Sequence, residues 1–435
     1  WLVQLCCGRG VAMPKAGPPP PKAKAKSQVK WSERQKAHAR VERLLSFSVV
    51  QQWREAGKSC SIDEVNWDEV HSVVHMGGGS GGVLLVRFSG TPGKLLCVKP
   101  QRLEARGELL ASLLADALDI PTAQLRILPV SDDITSRLRR AKLEISDHQL
   151  HVEKKILADA KYLGLVEFVQ GPIMEGQDFS QHFRGQDARV QRFWVEAGRL
   201  AAFDCLINNL DRLPLIWNND GNLKNLMLDF PEGKPRVVGI DQAVRGISSE
   251  AGMAKYVRSL QELLHALWGA EQDWLRSPFF QRICCAIEVN FQGEFNVHAD
   301  GLKRGLQQAF RLFAWRWSCD LTACFDESLE KVAGVFSCDV GELDLLRGLV
   351  VAAATTIADE VQKLELHRVP APMVDLFRTL LPRGQFTKDQ LSYLLRQLDP
   401  KLGTPQATEF LEHFFPAEDY ISCSEFLQLV FGLAK

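Results

Sequence analysis

The chain has no Cys-x-x-Cys pair, no apolar run of membrane-spanning length, almost no net charge and no internal repeat. Each absence removes a class of protein. Its 11 cysteines are scattered, and Cys6-Cys7 and Cys284-Cys285 are adjacent pairs, poor geometry for a disulfide framework. Reduced thiols and an intracellular, cytoplasmic location are the expectation. The apolar run 349–357 stops before Asp359 and Glu360, short of the ~20 residues a membrane-crossing helix needs. A net charge of −1 sets up no global field toward nucleic acid or an anionic membrane. No Gly-Gly and Trp period near fifty residues marks a propeller. His71 and His75 have His-x-x-x-His spacing, but their stretch reads as strand, where four residues span about 13 Å, too far to share one zinc ion. Residues 1–7 are too short for a signal-peptide core, and Met13-Pro14-Lys15 is a more natural start than Trp1.

What remains is the composition of a globular protein, 46% hydrophobic and 24% charged, long enough for two or three domains or one large bilobal one. Residues 14–30 are rich in Pro, Lys and Ala and cannot bury a core, so 1–30 is expected to be a disordered basic arm. Across residues 1–40, nine Lys or Arg face one acid, Glu33. This arm reads as a solvated tail or as a docking arm for an acidic partner. An N-terminal helix is expected within 31–60, where Val41, Leu44, Leu45, Val49 and Trp53 recur at helical spacing and Gly57 is a stop.

From residue 67 the pattern turns to strand. Val70, Val73 and Val74 lead into Gly77, Gly78, Gly79, Ser80, Gly81 and Gly82, and an apolar strand follows over 83–88. A further strand from 94 ends in Val98-Lys99-Pro100. Gly77, Gly79 and Gly82 satisfy G-x-G-x-x-G. A dinucleotide fingerprint needs a helix straight after the glycines. A strand follows here, which suits a flap over nucleotide phosphates, with glycines letting backbone N–H groups approach. A helix over 104–118 carries Leu109, Leu110, Leu113, Leu114 and Leu118 on one face and Glu108 early. In a kinase-like lobe an acid there pairs with the strand lysine and fixes it on the α- and β-phosphates. Glu104 is the rival for that role, and a surface lysine with an exposed acid is the plain alternative. A strand over 124–130, a charged helical insert over 131–160 and a strand over 163–169 follow. Gln170-Gly171-Pro172 reads as a hinge, where backbone groups of Glu167, Phe168 and Val169 can bond an adenine edge.

A helix over 187–209 delivers the polar stretch 204–241. Asp211 lies in the loop after it. Asn225 precedes the strand candidate 226–228, and Asp241 follows the candidate 237–240. A hairpin of these strands brings Asn225 and Asp241 side by side. Hard oxygen ligands on a rigid support, with a third carboxylate to orient a hydroxyl, are what a Mg-nucleotide needs. Taken alone, the stretch equally suits polar turns around an ordinary hairpin, because Asn, Asp and Gly are turn residues. Residues 241–253 form a short connection, and 255–320 and 321–366 read as helices.

In this order the elements resemble the catalytic domain of the actin-fragmin kinase family over roughly residues 60–320. The carrying segments are Gly77-Gly-Gly-Ser-Gly-Gly82, Val98-Lys99-Pro100, Asn208-Asn209-Leu210-Asp211-Arg212-Leu213-Pro214, Trp217-Asn218-Asn219-Asp220-Gly221-Asn222, Asn225-Leu226 and Gly239-Ile240-Asp241. His-Arg-Asp, Asp-Phe-Gly and Ala-Pro-Glu are absent. The resemblance implies an α+β, bilobal, protein-kinase-like fold. It places a β-rich N-lobe at 61–171, a helical C-lobe at 172–320 and a helical extension at 321–366. It implies ATP as donor, Mg²⁺ as metal and protein Ser/Thr as acceptor. By matching position, Lys99 binds phosphate, Glu108 holds Lys99, Asp211 is the catalytic base, and Asn225 and Asp241 ligate Mg²⁺. Asp211 and Asn225 are fourteen apart, against five in ordinary kinases, and the insert with Pro214 and Trp217 is shared with the family. The family's named member carries a kelch propeller after its catalytic domain. No kelch-type repeat occurs in this sequence, which puts actin as substrate in doubt. The rival readings are a lipid or small-molecule kinase, from the short connection after Asp241, and a pseudokinase scaffold binding partners through the basic arm and C-terminal helices.

Residues 367–435 resemble two degenerate EF-hand units. Gly384-Gln385-Phe386 matches the loop core, but Thr379, Leu381, Arg383 and Gln390 stand at its ligand positions. The second unit centres on Tyr420-Ile421 and keeps Glu418, Ser422 and Glu425, with Phe414 and Pro416 at its first ligand positions. A calcium loop needs several carboxylate oxygens around one cation. Packing or partner binding is the expected role, and a plain helical tail is the alternative.

Overall fold

Runs rich in β-branched and aliphatic residues, broken by Gly-containing turns, build a sheet in the first half of the computed structural model. Described are residues 52–53, 58–63, 65–76, 82–90, 93–143, 157, 160–171, 188–229, 236–291, 299–366, 385–398, 403–414 and 420–422. All lie in one compact unit spanning 46–435, and the second unit, 1–45, falls outside them. The expected basic arm therefore lies outside the described residues. Of the expected helix before residue 60, only Gln52 and Trp53 are described as helical, and Trp53 is buried with Val74, Leu85, Leu95 and Phe168.

The sheet takes in β1 (Lys58–Ser59), β2 (Val70–Met76), β3 (Val83–Phe88) and β4 (Lys94–Gln101). Helix α1 (Ala105–Ala117) follows, then β5 (Leu125–Pro129), helix α2 (Asp132–Arg140), β6 (Lys142–Leu143) and β7 (Tyr162–Glu167). Five strands run antiparallel in the order β5-β7-β4-β3-β2, and β6 and β1 join β2 and β4 in parallel. The strand expected from residue 67 begins at Val70. Trp67–Glu69 is a 3-10 turn that the Asn66 side chain caps by accepting from the Asp68 N–H (3.1 Å). Of the insert over 131–160, the first half is helical, with Ser131 as N-cap, but Lys142–Leu143 adds a strand.

The remainder is mostly helical. It comprises α3 (Ala188–Ile207), the hairpin β8 (Leu226–Asp229) and β9 (Arg236–Gly239), α4 (Glu250–Trp268) and α5 (Glu271–Arg276). Then come α6 (Pro278–Phe291), α7 (Ala299–Cys319), α8 (Leu321–Phe336) and α9 (Asp344–Leu366). Phe203, Leu260, Phe310, Phe313, Phe325 and Ile357 from five of these helices share one core, into which α1 sends Leu110 and Leu114. That core takes in more buried residues than the one on the sheet, and it holds α3 in place. A small ribbon closes the C-terminal part. Strand β10 (Gln385–Thr387) pairs antiparallel with β11 (Tyr420–Ser422), Phe386 faces Ile421, and both are fully buried. Helices α10 (Lys388–Leu398) and α11 (Thr404–Phe414) lie between them in sequence.

Candidate active site

Strand β4 delivers Lys99 just past Val98, the last β4 residue paired to β3. Leu84 faces Val98, so the Met76–Val83 end of the β2–β3 hairpin lies at the same end of the sheet as Lys99. That hairpin end carries the glycine loop. Gly82 has a left-handed φ of 71°; Gly77, Gly78, Gly79, Ser80 and Gly81 lie outside the described residues. Pro100, with no N–H to donate, sits where β4 has run past β3.

Between the two candidate acids the geometry is clear. Lys99 Nζ donates to Glu108 Oε1 at 2.8 Å, whereas Glu104 only marks the N-cap of α1. Lys99 also forms a close ion pair with Asp241. Burial pulls the Lys99 pKa down, and Glu108 and Asp241 more than offset it, leaving the ammonium above its ordinary value. The other oxygen of Glu108 accepts from Gln101 Nε2 at 2.7 Å. Gln101 and Lys99 are two apart on one strand and so share a face. Period-two reading of β4 could have found Gln101 as a partner of Glu108.

Glu167, Phe168 and Val169 sit where strand β7 ends. The Glu167 N–H donates to the Gln124 carbonyl (2.9 Å), and Phe168 and Val169 are buried. Val169 clusters with Ala123 and Val238, with Val166, Met227 and Ile240 packed against them.

Helix α3 ends by a local rule. Asn208 follows Ile207 with φ 54°, and the Asn209 N–H reaches back to the Asp204 carbonyl at 2.9 Å. Asn is the usual alternative to Gly at that left-handed position. The turn throws residues 209–211 out of the helix line. Asp211 emerges half-exposed and ion-paired to Arg245. Asn208 ties its neighbours together: Trp217 Nε1 donates to its oxygen (2.7 Å) and its amide donates to the Arg245 carbonyl (2.8 Å).

The long spacing between Asp211 and Asn225 is absorbed by a closed loop. The Asn222 N–H donates to the Arg212 carbonyl at 2.9 Å, which brings the chain back beside its start. Arg282 from α6 donates to the carbonyls of Pro214 (3.1 Å) and Leu215, and Trp217 stacks on Tyr256. A cavity of about 910 Å³ opens on this loop, lined by Asp220, Lys224, Gln281, Arg282 and Cys285 among others. Neither Lys99, Asp211 nor Asp241 lines it.

Asn225 and Asp241 come together as the hairpin requires. Leu226 faces Gly239, and the Ile240 N–H donates to the Asn225 carbonyl at 3.0 Å. Asp241 holds a left-handed φ of 59°, a conformation a non-Gly residue keeps only where its surroundings enforce it. Asn225 Oδ1 takes one long bond, from Asn222 at 3.3 Å, leaving a lone pair. One carboxylate and one amide oxygen on adjacent strand ends fit Mg²⁺, which is held by one or two carboxylates together with substrate phosphates.

Behind these groups lies a hub to which the sequence reading assigned no role. Arg212 is fully buried. It pairs with Asp204, donates to Gln242 Oε1 (3.0 Å) and reaches the Ile240 carbonyl (3.4 Å). Asn209 donates to the same Asp204 carboxylate at 2.9 Å. Burial pushes the Asp204 carboxyl up to about 6 against the pull of Arg212 and Asn209. A Cβ on Gly239 would sit 2.8 Å from the guanidinium, so only glycine leaves room for it there. The signal was present, since Arg212 stands inside the Asn-Asn-x-Asp-Arg-x-Pro motif.

A five-stranded antiparallel sheet whose lysine pairs with a glutamate of the adjoining helix, set against a mostly helical remainder, defines a kinase-like bilobal α+β fold. Residues 50–241 match the family model described as "Actin-fragmin kinase, catalytic", which bears out over that segment the resemblance read from the motifs. The chain is also 24% identical over 243 residues to a protein of Dictyostelium discoideum named "Putative actin-fragmin kinase". That alignment takes in 53% of this chain and 57% of the relative, so the match spans little more than half of each. Among the described residues, no helix is long and apolar enough to cross a membrane.

Proposed function

We propose that the protein is an ATP- and Mg²⁺-dependent protein kinase acting on Ser or Thr hydroxyls. The observation that carries this reading is the Lys99–Glu108 pair, with Asp241 on the same ammonium. A charged lysine held between two carboxylates, one on the helix and one on the hairpin, is placed to take phosphate oxygens. In this reading Gly77 to Gly82 cover the phosphates and backbone groups of Glu167, Phe168 and Val169 receive the adenine edge. Asn225 and Asp241 hold Mg²⁺, which supplies charge neutralisation on the phosphates. Asp211 orients the acceptor hydroxyl and takes its proton. Arg245 neutralises Asp211 until an acceptor arrives. Positioning and electrostatics supply nearly all of the catalysis in phosphoryl transfer, so no further nucleophile is needed.

The likeness of residues 50–241 to the actin-fragmin kinase catalytic domain supports protein as the acceptor. Actin enters only through the names of the family model and of a relative, and that relative extends well beyond the matched region. Lys99→Met tests the reading. Labelled ATP and a lysate of the protein's own cells should give phosphorylated protein with the wild type. The variant should lose it by about a hundredfold or more at an unchanged melting midpoint. Near-normal labelling by a folded Lys99→Met protein would remove the N-lobe assignment. The connection from Asp241 to the start of α4 is short, which favours a lipid or small-molecule acceptor as second reading. Phosphate appearing in lipid vesicles rather than in protein would select it.

We further propose that residues 367–435 are a degenerate EF-hand pair serving packing or partner binding, not calcium sensing. The β10–β11 ribbon supports the pairing. Gln390, at the last ligand position of the first loop, is occupied otherwise: its oxygen accepts from the Thr387 N–H (2.9 Å), and its own N–H meets the Thr387 hydroxyl (3.3 Å). That reciprocal cap starts α10. Thr379, Leu381, Arg383, Pro416, Glu418 and Glu425 lie outside the described residues. Activity should be the same with micromolar calcium or chelator, and a several-fold change that Glu425→Gln abolishes would make this a calcium-regulated enzyme.

A further inference from the structure

Three consecutive residues in the first turn of α1 face three different parts of the molecule. A helix advances about 100° per residue, so neighbours in sequence point apart. Glu108 meets the sheet, through Lys99 and Gln101. Gly107 meets the connection after Asp241: its carbonyl accepts the Val244 N–H at 2.9 Å. Arg106 meets the helices that follow residue 320. Its guanidinium lies 5.8 Å from the ring centroid of Phe336, at the end of α8, and 3.2 Å from Glu342.

Phe336 does more than receive Arg106. Its ring packs at 4.5 Å against Tyr162, which faces Gln101 across the β4–β7 ladder. One aromatic ring thus touches both the helix that carries Glu108 and the strand beside Lys99. Three residues past Glu342, Leu345 closes on the Asp241 connection. A Cβ on Gly246 would stand 3.1 Å from that of Leu345. The far end of α1 is held as well, with Arg316 of α7 donating to the Ala117 carbonyl at 3.0 Å. The matched family segment ends at 241, so Phe336, Glu342 and Arg316 all lie beyond it.

We propose that residues 336–345 are a built-in clamp on the nucleotide site, with Arg106 as its positioning residue. Phe336 and Glu342 fix Arg106, which sets the rotation of the first turn of α1. That rotation aims Glu108 at Lys99 and keeps Gly107 on Val244. Arg106 touches neither Lys99 nor Asp241 and acts through its neighbour two residues on. The nucleotide half of this inference rests on the ATP-binding reading above; the positioning half does not.

The test uses the full chain, four single variants and one double variant. Arg106→Leu and Phe336→Leu remove the two sides of the contact while keeping apolar bulk. Glu342→Arg reverses the charge on the exposed side and also gives up the bond that the Glu342 carboxylate takes from the Asp339 N–H (3.3 Å). Lys331→Ala, on the exposed flank of α8, is the control. Amide hydrogen exchange over residues 105–110 and 242–246 is read beside Mg-ATP affinity and melting midpoint. Arg106→Leu and Phe336→Leu should speed exchange in both stretches and weaken Mg-ATP about tenfold, as expected when the competent orientation falls to a tenth of the population. Glu342→Arg should do so by about threefold, with recovery in the Arg106→Glu, Glu342→Arg double variant. Lys331→Ala should change nothing. Unaltered exchange and affinity in Arg106→Leu and Glu342→Arg would overturn the clamp. Should Phe336→Leu melt far lower, Glu342→Arg decides. Should the wild type take up no Mg-ATP, the ATP reading fails by itself, and the exchange of residues 105–110 still decides the clamp.

Discussion

Asp211→Asn should lower phosphoryl transfer by about a thousandfold and leave Mg-ATP affinity within about twofold of the wild type. Asp241→Asn should lower transfer to a similar extent, but weaken the Mg²⁺-dependent part of nucleotide binding as well. The two carboxylates lie on opposite sides of the proposed reaction. Asp211 stands half-exposed at the end of the α3 turn, bonded to Arg245 and to no part of the sheet. Asp241 follows β9, beside Asn225, and touches Lys99. Converting Asp211 to an amide removes a proton acceptor without disturbing a phosphate or metal contact. Converting Asp241 removes negative charge from the oxygen set that suits Mg²⁺. Calorimetric titration of each variant with ATP, in Mg²⁺ and in chelator, separates them. Equal nucleotide affinity in the two variants would mean that the roles are exchanged or absent.

Arg212→Met should cost about 3–5 kcal/mol of stability, because it leaves the Asp204 carboxylate buried without its cation. For a chain of this length that lowers the melting midpoint by about 5 °C. The damage should not stay local. Arg212 holds the Ile240 carbonyl and Gln242, which flank Asp241, and its own carbonyl closes the 212–222 loop. Replacing both partners, as Asp204→Leu with Arg212→Met, should recover at least half of the stability, since two apolar groups leave no stranded charge. Transfer activity should stay low in the double variant, because the polar contacts to Ile240 and Gln242 are still gone. A single Arg212→Met that melts like the wild type would show that the buried pair is not the fastener described here.

Local rules made much of this legible in the sequence. The glycines, the strand ending in Lys99 and the helix carrying Glu108 follow one another with short connections, so pattern alone orders them. The hairpin of 226–229 and 236–239 sets Asn225 beside Asp241 because a two-strand register leaves no other arrangement. Long-range matching was not legible. Arg245 reaches Asp211 across 34 residues, and Arg106 reaches Glu342 across 236. Neither has a periodic signature. The spacing of fourteen between Asp211 and Asn225 looked like a departure from kinase geometry, and only the Asn222–Arg212 closure shows how a folded loop absorbs it. Lys142–Leu143 reads as part of a charged helix, yet pairs with β2, since edge pairing is decided by what lies alongside and not by local propensity.

The central claim is that Lys99, Asn225 and Asp241 together bind ATP with Mg²⁺, and titration of the full chain with ATP tests it most directly. In Mg²⁺ the wild type should bind one ATP and melt at a higher temperature, as any ligand selective for the folded state requires. Chelator should weaken that binding, and Lys99→Met should abolish most of it. Absence of binding by the folded wild type in either condition, or binding that Lys99→Met and chelator both leave unchanged, would contradict the account.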